Sequence, residues 1–385
     1  MLVEEKKLNF DEIRPFKDEE VKDAIERLLT QPSFHTALRY IFPASNTEST
    51  IEILRKIESV DEFQEKIISH AVSAIIRAST RGLKSKGIEN IAKDKAYLFI
   101  SNHRDIVLDS AFLNYLLFIE QIPTTRIAIG NNLLQKPWIQ DLVKLNKNFI
   151  VHRDVHARQA YDYSLRLSAY IRQSIISENV SVWIAQREGR TKNGIDQTHA
   201  GLIKMFAIAA EGLNSEAFES LNILPVSISY EFEPCAGSKA WENYNKLING
   251  KYEKLPGEDL NSMKNGIALP KGRVQFTFGN AINKSDLNGL FMNKNKNEII
   301  KGVANLIDLQ IIKNYQLFPS NYIAFDLLNN TNKYISNYTL IELEEFKKHM
   351  MQQLLHYEAE DDKLKKCFLE IYSNPLINKI NNNLL

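Results

Sequence analysis

Hydrophobic and polar positions follow a helical period at both ends of the chain and a strand-like period in the middle. In "DEEVKDAIERLLT" (18–30), Val21, Ala24, Ile25, Leu28 and Leu29 share one helical face, with acidic residues in the first turn where the helix dipole favours them. "DEFQEKIISHAVSAIIRAST" (61–80) predicts a second amphipathic helix, and no strand signal lies between the two. From about residue 81 the pattern becomes short apolar runs. "AYLFIS" (96–101), "TRIAIG" (125–130), "NFIV" (148–151), "VSVWIA" (180–185), "ILPVSISY" (223–230) and "RVQFTFG" (273–279) are candidate strands. Several are apolar on both faces, as a sheet covered by helices requires. "YDYSLRLSAYIRQSIIS" (161–177) and "HAGLIKMFAIAAEGL" (199–213) are helical between them, so strand and helix alternate. After residue 284 the helical period returns in "NEIIKGVANLIDLQIIKNY" and "TLIELEEFKKHMMQQLLHY". The expected fold is α/β, a mixed and largely parallel sheet flanked by helices over 81–283. A helical N-terminal module (1–80) and a helical C-terminal extension (284–385) would flank it.

Composition narrows the classes. Lys and Arg number 48 against 47 Asp and Glu, so bulk counterion release gives nucleic acid no hold and none is expected as a partner. Two cysteines, Cys235 and Cys367, cannot build a disulfide framework and point to a reducing compartment. The opening "MLVEEKKLNFDEIRPF" lacks the apolar core of a signal peptide. The longest apolar block, "AFLNYLLFI" (111–119), is half the roughly 18 residues of a spanning helix. The expected setting is therefore cytoplasmic.

Two strings invite a specific chemistry. "NHRDIVLD" (102–109) and "VHRDVHARQ" (151–159) both carry the His-Arg-Asp of a protein-kinase catalytic loop. A kinase also needs a glycine-rich loop, a strand lysine and Asp-Phe-Gly. Only "RGLKSKG" precedes residue 102, no Asp-Phe-Gly occurs, and Gln159 stands where the metal-binding Asn belongs, so the kinase reading fails. No G-x-S-x-G, Walker loop or H-E-x-x-H is present either. His152 and His156 have a zinc-compatible spacing without a visible third ligand, and no metal is expected. What remains is a strand ending in Ser-Asn-His, followed by carboxylates and a helix through "DSAFLNYLLF". A histidine so placed can take a proton from a hydroxyl if a carboxylate holds its other nitrogen.

At this point the sequence resembles the glycerol-phosphate acyltransferase superfamily, which includes the lysophosphatidate acyltransferases. The resemblance rests on four blocks in order: "SNHRDIVLD", "KNFIVHRD", "WIAQREGRTKNG" and "LPVSISYE", with a later "VQFTFGNAI". It spans roughly 81–283. It implies an acyl group passing from acyl-CoA or an acyl-carrier protein to a hydroxyl of glycerol 3-phosphate or lysophosphatidate, without a cofactor. His103 would be the base, oriented by an aspartate. Arg153, Arg190 and Lys192 would hold the anionic head group, where guanidinium geometry is apt, Gly189 would let the backbone come close to it, and Glu188 would belong to the same site. A lyso-aminolipid acceptor, or a non-catalytic lipid-binding relative, is the rival.

Two departures from the family pattern stand out. Five residues separate His103 from Asp109 where the family has four, and Leu108 occupies the family position. Either Asp109 serves, beginning the small-then-apolar helix, or Asp105 does. In the third block Arg190 follows Gly189 directly, which leaves the choice among Arg187, Arg190 and Lys192 open. His199 and Lys204 read as a solvated helix face, and Arg-Asp after His103 as incidental. Peripheral attachment to the inner face of a membrane is expected from the N-terminal amphipathic helices and the acyl chemistry. Trp138, beside Lys136 and Pro137, is either an interface anchor or packing.

Overall fold

The computed structural model describes residues 8–42, 47–153, 156–210, 212–292, 294–359 and 362–385. Seven strands form one sheet: β1 (Leu83–Lys86), β2 (Leu98–Ser101), β3 (Arg126–Gly130), β4 (Asn148–Val151), β5 (Val182–Ala185), β6 (Ile223–Tyr230) and β7 (Val274–Phe278). Their order is β1-β7-β6-β2-β5-β3-β4, and every pairing is parallel except β6 with β7. The fold is thus a mixed, mostly parallel α/β sheet. Six of these strands coincide with the apolar runs. β1 does not: its "LKSK" is half-exposed and carries no apolar alternation, because it is an edge strand held by β7 alone.

The central strands bury both faces because each covers two helical layers. Leu98 and Ile100 of β2 point to a core shared with helices Ala157–Arg172, Ala200–Ile208 and Lys296–Asn314. Tyr97 and Phe99 point the other way, to helices Leu108–Ile119 and Ser69–Ser79. The helix expected to run to residue 213 stops at Ile208, ahead of Gly212 at φ +96°. Glycine loses more conformational freedom in a helix than any other residue and takes this backbone region without strain.

The helices at either end have cores of their own. Val21, Ala24, Ile25 and Leu28 pack with Leu145 of helix Pro137–Leu145, and Trp138 meets Phe34 there at a ring separation of 6.5 Å. The apolar residues Val21, Ala24, Ile25 and Leu28 are therefore spent inside the protein, and Trp138 packs there as well. Helices Ala236–Asn249, Pro319–Asn329, Leu340–Leu354 and Lys363–Asn381 share another core around Phe346, Phe368 and Tyr372. Cys235 and Cys367 are both buried and free.

Both sheet edges are managed. β1 presents Lys84 and Lys86 outward. On the far side, the Ile150 N–H of β4 donates to the Ile13 carbonyl at 2.9 Å, so the N-terminal segment occupies that edge.

β6 is twice as long as its neighbour β2 and continues past it. Asn102 fills the step: its Oδ1 accepts from Ile228 N–H at 2.8 Å and its Nδ2 donates to Ile228 C=O at 2.9 Å, replacing a ladder rung with a side-chain amide. Asn102 is fully buried, so truncation strands two backbone groups. Asn102→Ala is expected to lower unfolding free energy by about 2–4 kcal/mol in urea titrations; a loss within error of zero would remove this role.

Candidate active site

The parallel strands β2, β3, β4 and β5 all end on one side of the sheet, where such folds leave a crevice for ligands. A cavity of about 820 Å³ opens there. His103 follows β2, Arg153 follows β4, and Arg187, Glu188, Gly189, Arg190 and Lys192 follow β5; all seven line the cavity. Every binding residue expected from the sequence is thereby brought to the same wall as His103. Asp154, next to Arg153, lies outside the described residues.

His103 Nδ1 lies 2.8 Å from Asp109 Oδ2. That oxygen also accepts the backbone N–H groups of Arg104 at 2.6 Å and Asp105 at 3.0 Å, while Asp109 Oδ1 accepts Tyr230 OH at 3.1 Å. The carboxylate is wholly buried yet fully partnered, the condition under which a buried charge survives. With Nδ1 engaged by the Asp109 carboxylate, Nε2 is the ring nitrogen left free of that contact. Trp183 on β5 sits edge-on to the ring at 5.9 Å.

Asp105 does a different job. Its Oδ1 accepts from Val107 N–H at 2.9 Å and Leu108 N–H at 2.8 Å, capping the start of helix Leu108–Ile119. Burial, then the nearby Asp109 charge, raises its pKa. Gly266 closes over it, since a Cβ there would lie 2.2 Å from Asp105 Oδ2. The turn thus contains two aspartates with separate tasks, a cap and a partner for histidine.

Arg104 is not incidental. It is 2% exposed and donates to Asp196 Oδ2 and, at 2.7 Å, to Glu233 Oε1, while Lys239 Nζ donates to the Arg104 carbonyl at 2.8 Å and also pairs with Glu233. These four buried charges join the turn after β2, the loop after β5, the chain after β6 and helix Ala236–Asn249. No local pattern announces them, because the partners lie 92 and 129 positions from Arg104.

The basic side of the cavity is graded. Arg153 Nε is 3.5 Å from Glu188, and its side chain crosses Gly130, where any Cβ would sit 2.5 Å from Nε. Gly189 turns the loop at φ +69°. Arg187 is exposed, whereas Arg190 is buried with its Nη1 lacking a hydrogen-bond partner among the described residues. Lys192 pairs with Glu242 at 2.6 Å. Burial, reinforced by the Arg190 charge and opposed by Glu242, pushes the Lys192 ammonium down to about 8. His199 and Lys204 are exposed, His199 at the cavity rim. The lining also includes the apolar side chains Ile127, Ile129, Ile150, Ile184, Leu202 and Met205. His152 stacks near Tyr163 at 4.6 Å, and among the described residues no group of three or more His, Cys, Asp or Glu side chains is placed to hold a metal.

A family model described as Acyltransferase matches residues 82–229, which include all the residues from His103 to Lys192 discussed above. The family match is confined to that segment of the chain. Comparison with curated proteins finds no match. Among solved structures, the chain is similar to the 1-acyl-sn-glycerophosphate (LPA) acyltransferase PlsC from Thermotoga maritima. Identity is 13%, coverage 76% of this chain and 93% of that one, and the TM-score 0.35, too loose a likeness to bear on the site.

The depressed Lys192 value has a direct consequence. Sulfate keeps its charge across the range, so its binding to this cavity should weaken as pH rises through about 8 and Lys192 loses its proton. Lys192→Arg stays protonated and should abolish the decline in calorimetric titrations; a decline that persists in that variant assigns the effect elsewhere.

Proposed function

We propose that this acyltransferase moves a fatty acyl group from a thioester, acyl-CoA or acyl-carrier protein, to a hydroxyl of glycerol 3-phosphate or lysophosphatidate. The observation that carries this reading is the His103–Asp109 pair beside a cavity lined by both basic and apolar side chains. Nε2 takes the acceptor's hydroxyl proton as the oxygen attacks the thioester carbonyl. Asp109 stabilises the imidazolium that forms. Collapse of the tetrahedral adduct breaks the C–S bond, and the imidazolium returns the proton to the thiolate. Arg153, Arg190 and Lys192 hold the acceptor's phosphate, with the unpartnered Arg190 Nη1 the strongest single support for an anion. The apolar lining suits the acyl chain.

Three carboxylates, Glu188, Glu242 and Asp259, also line this cavity. They favour a second reading in which the acceptor is a lyso-aminolipid whose cationic group meets one of them.

Among the described residues no helix is long and apolar enough to cross a membrane. Peripheral attachment to the inner face of the membrane is nonetheless part of this proposal. Its support moves from the N-terminal helices to a patch beside the cavity, where Leu247, Ile248 and Leu255 are exposed next to Lys251 and Lys254.

Thiol release from acyl-CoA with each acceptor tests the chemistry. His103→Ala should lower kcat by about 10²–10⁴-fold, the range for a lost general base, with Asp109→Asn also strongly impaired. Asp105→Asn preserves a capping oxygen and should leave kcat within about threefold. Equal activity in His103→Ala and wild type would sink the mechanism, and a wild type inert with every lipid acceptor would favour a non-catalytic lipid-binding role. Co-sedimentation with anionic vesicles should drop in a Leu247→Glu/Leu255→Glu variant; unchanged pelleting would remove that patch from the membrane contact.

A further inference from the structure

The loop that carries Arg190 and Lys192 is held from outside the segment that defines the family. Three consecutive carbonyls each receive a side-chain amide from a later helix. Asn243 Nδ2, on helix Ala236–Asn249, donates to Lys192 C=O at 2.6 Å. Asn374 Nδ2, on helix Lys363–Asn381, donates to Asn193 C=O at 2.6 Å, and Asn378 Nδ2, one turn on, to Gly194 C=O at 3.4 Å. Further along, Asp308 on helix Lys296–Asn314 accepts both Thr198 N–H at 2.8 Å and Thr198 Oγ1–H at 2.6 Å.

Shape agrees with the hydrogen bonds. Pro375 interrupts the last helix and, having no N–H, cannot donate to Ile371 C=O. Gly194 packs against that carbonyl: an added Cβ would lie 2.4 Å from Ile371 O, and the backbone there has φ +77°. Only glycine meets both demands. Helix Ala236–Asn249 also grips Lys192 at both ends, its backbone through Asn243 and its ammonium through Glu242 at 2.6 Å. The near end of the loop reports to the base, since Thr191 N–H donates to His103 C=O at 2.9 Å.

We infer that Asn243 and Asn374 are positioning residues for the anion-binding wall: the C-terminal helices set the loop so that Arg190 and Lys192 face the acceptor together. The inference rests on the proposed head-group role of Arg190 and Lys192, and on the proposed acyl transfer for its kinetic readout. Neither asparagine lines the cavity, so neither touches substrate. Each acts through a backbone carbonyl of the loop.

The test uses the full chain with Asn243→Ala and, because truncation beside a packed helix can unfold it, the isosteric Asn374→Asp, which removes the donor without removing volume. Three quantities are read: kinetics with acyl-CoA and glycerol 3-phosphate, calorimetric binding of glycerol 3-phosphate alone, and Tm. The expected result is an acceptor KM raised about 5–10-fold, the cost of one hydrogen bond. The donor KM and kcat should stay within about twofold, and acceptor binding should weaken in step. Variants with an unchanged acceptor KM and affinity, or with donor and acceptor KM rising alike, overturn the inference whatever their Tm. A wild type that binds glycerol 3-phosphate but transfers no acyl group defeats the proposed reaction alone; the binding comparison then decides this inference by itself. A wild type that does not bind glycerol 3-phosphate overturns the head-group role and this inference together.

Discussion

The carboxylate of Asp109 is fully buried, and the strand ends around it are arranged to supply its hydrogen-bond partners. Two backbone N–H groups from the turn after β2, the His103 ring and the Tyr230 hydroxyl all converge on it. Each donor comes at a structural cost: the turn must curl back on the helix it precedes, and β6 must outrun β2 far enough to deliver Tyr230. The Asn102 bracket to Ile228 is what holds that overhang in place. The long β6, the tight turn and the histidine's orientation are thus one solution to one electrostatic problem.

A second buried electrostatic assembly lies behind the first. Arg104 and Lys239 sit between Asp196 and Glu233. Replacing such a group by well-packed apolar residues often leaves stability unchanged, whereas removing one member strands a charge and costs several kcal/mol. Its effect here is registration. It obliges the loop after β5, the chain after β6 and helix Ala236–Asn249 to meet at Arg104, the residue next to His103. The residue following the histidine therefore does as much to locate it as the residue that bonds it.

Much of this was legible in the sequence, and the boundary is instructive. Apolar runs identified six strands because the central sheet is buried on both faces. β1 escaped notice because an edge strand needs only one neighbour and no apolar alternation. The blocks carrying His103, Arg153 and Glu188–Lys192 were visible because each directly follows a strand, and the strand ends bring them to one cavity. The choice between Asp105 and Asp109 was not visible. Spacing counts residues, whereas the turn's curl determines which carboxylate reaches Nδ1 and which caps a helix. The roles of Arg104, Asn243 and Asn374 have no local signature for the same reason. The targets of the two asparagines are carbonyls 51 and 181 positions away, and backbone carbonyls have no signature in a sequence.

The two ends of the sheet bear on the protein's behaviour in a crowded solution. An open sheet offers unpaired N–H and C=O groups at each outer strand, a template on which another chain can add. Here the β4 side is occupied in part by the chain's own N-terminal segment through Ile13, and the β1 side is short and studded with Lys84 and Lys86. A strand approaching the first edge finds a donor already engaged, and one approaching the second must desolvate two ammonium groups. Both edges thus carry features that discourage the addition of another strand to the sheet.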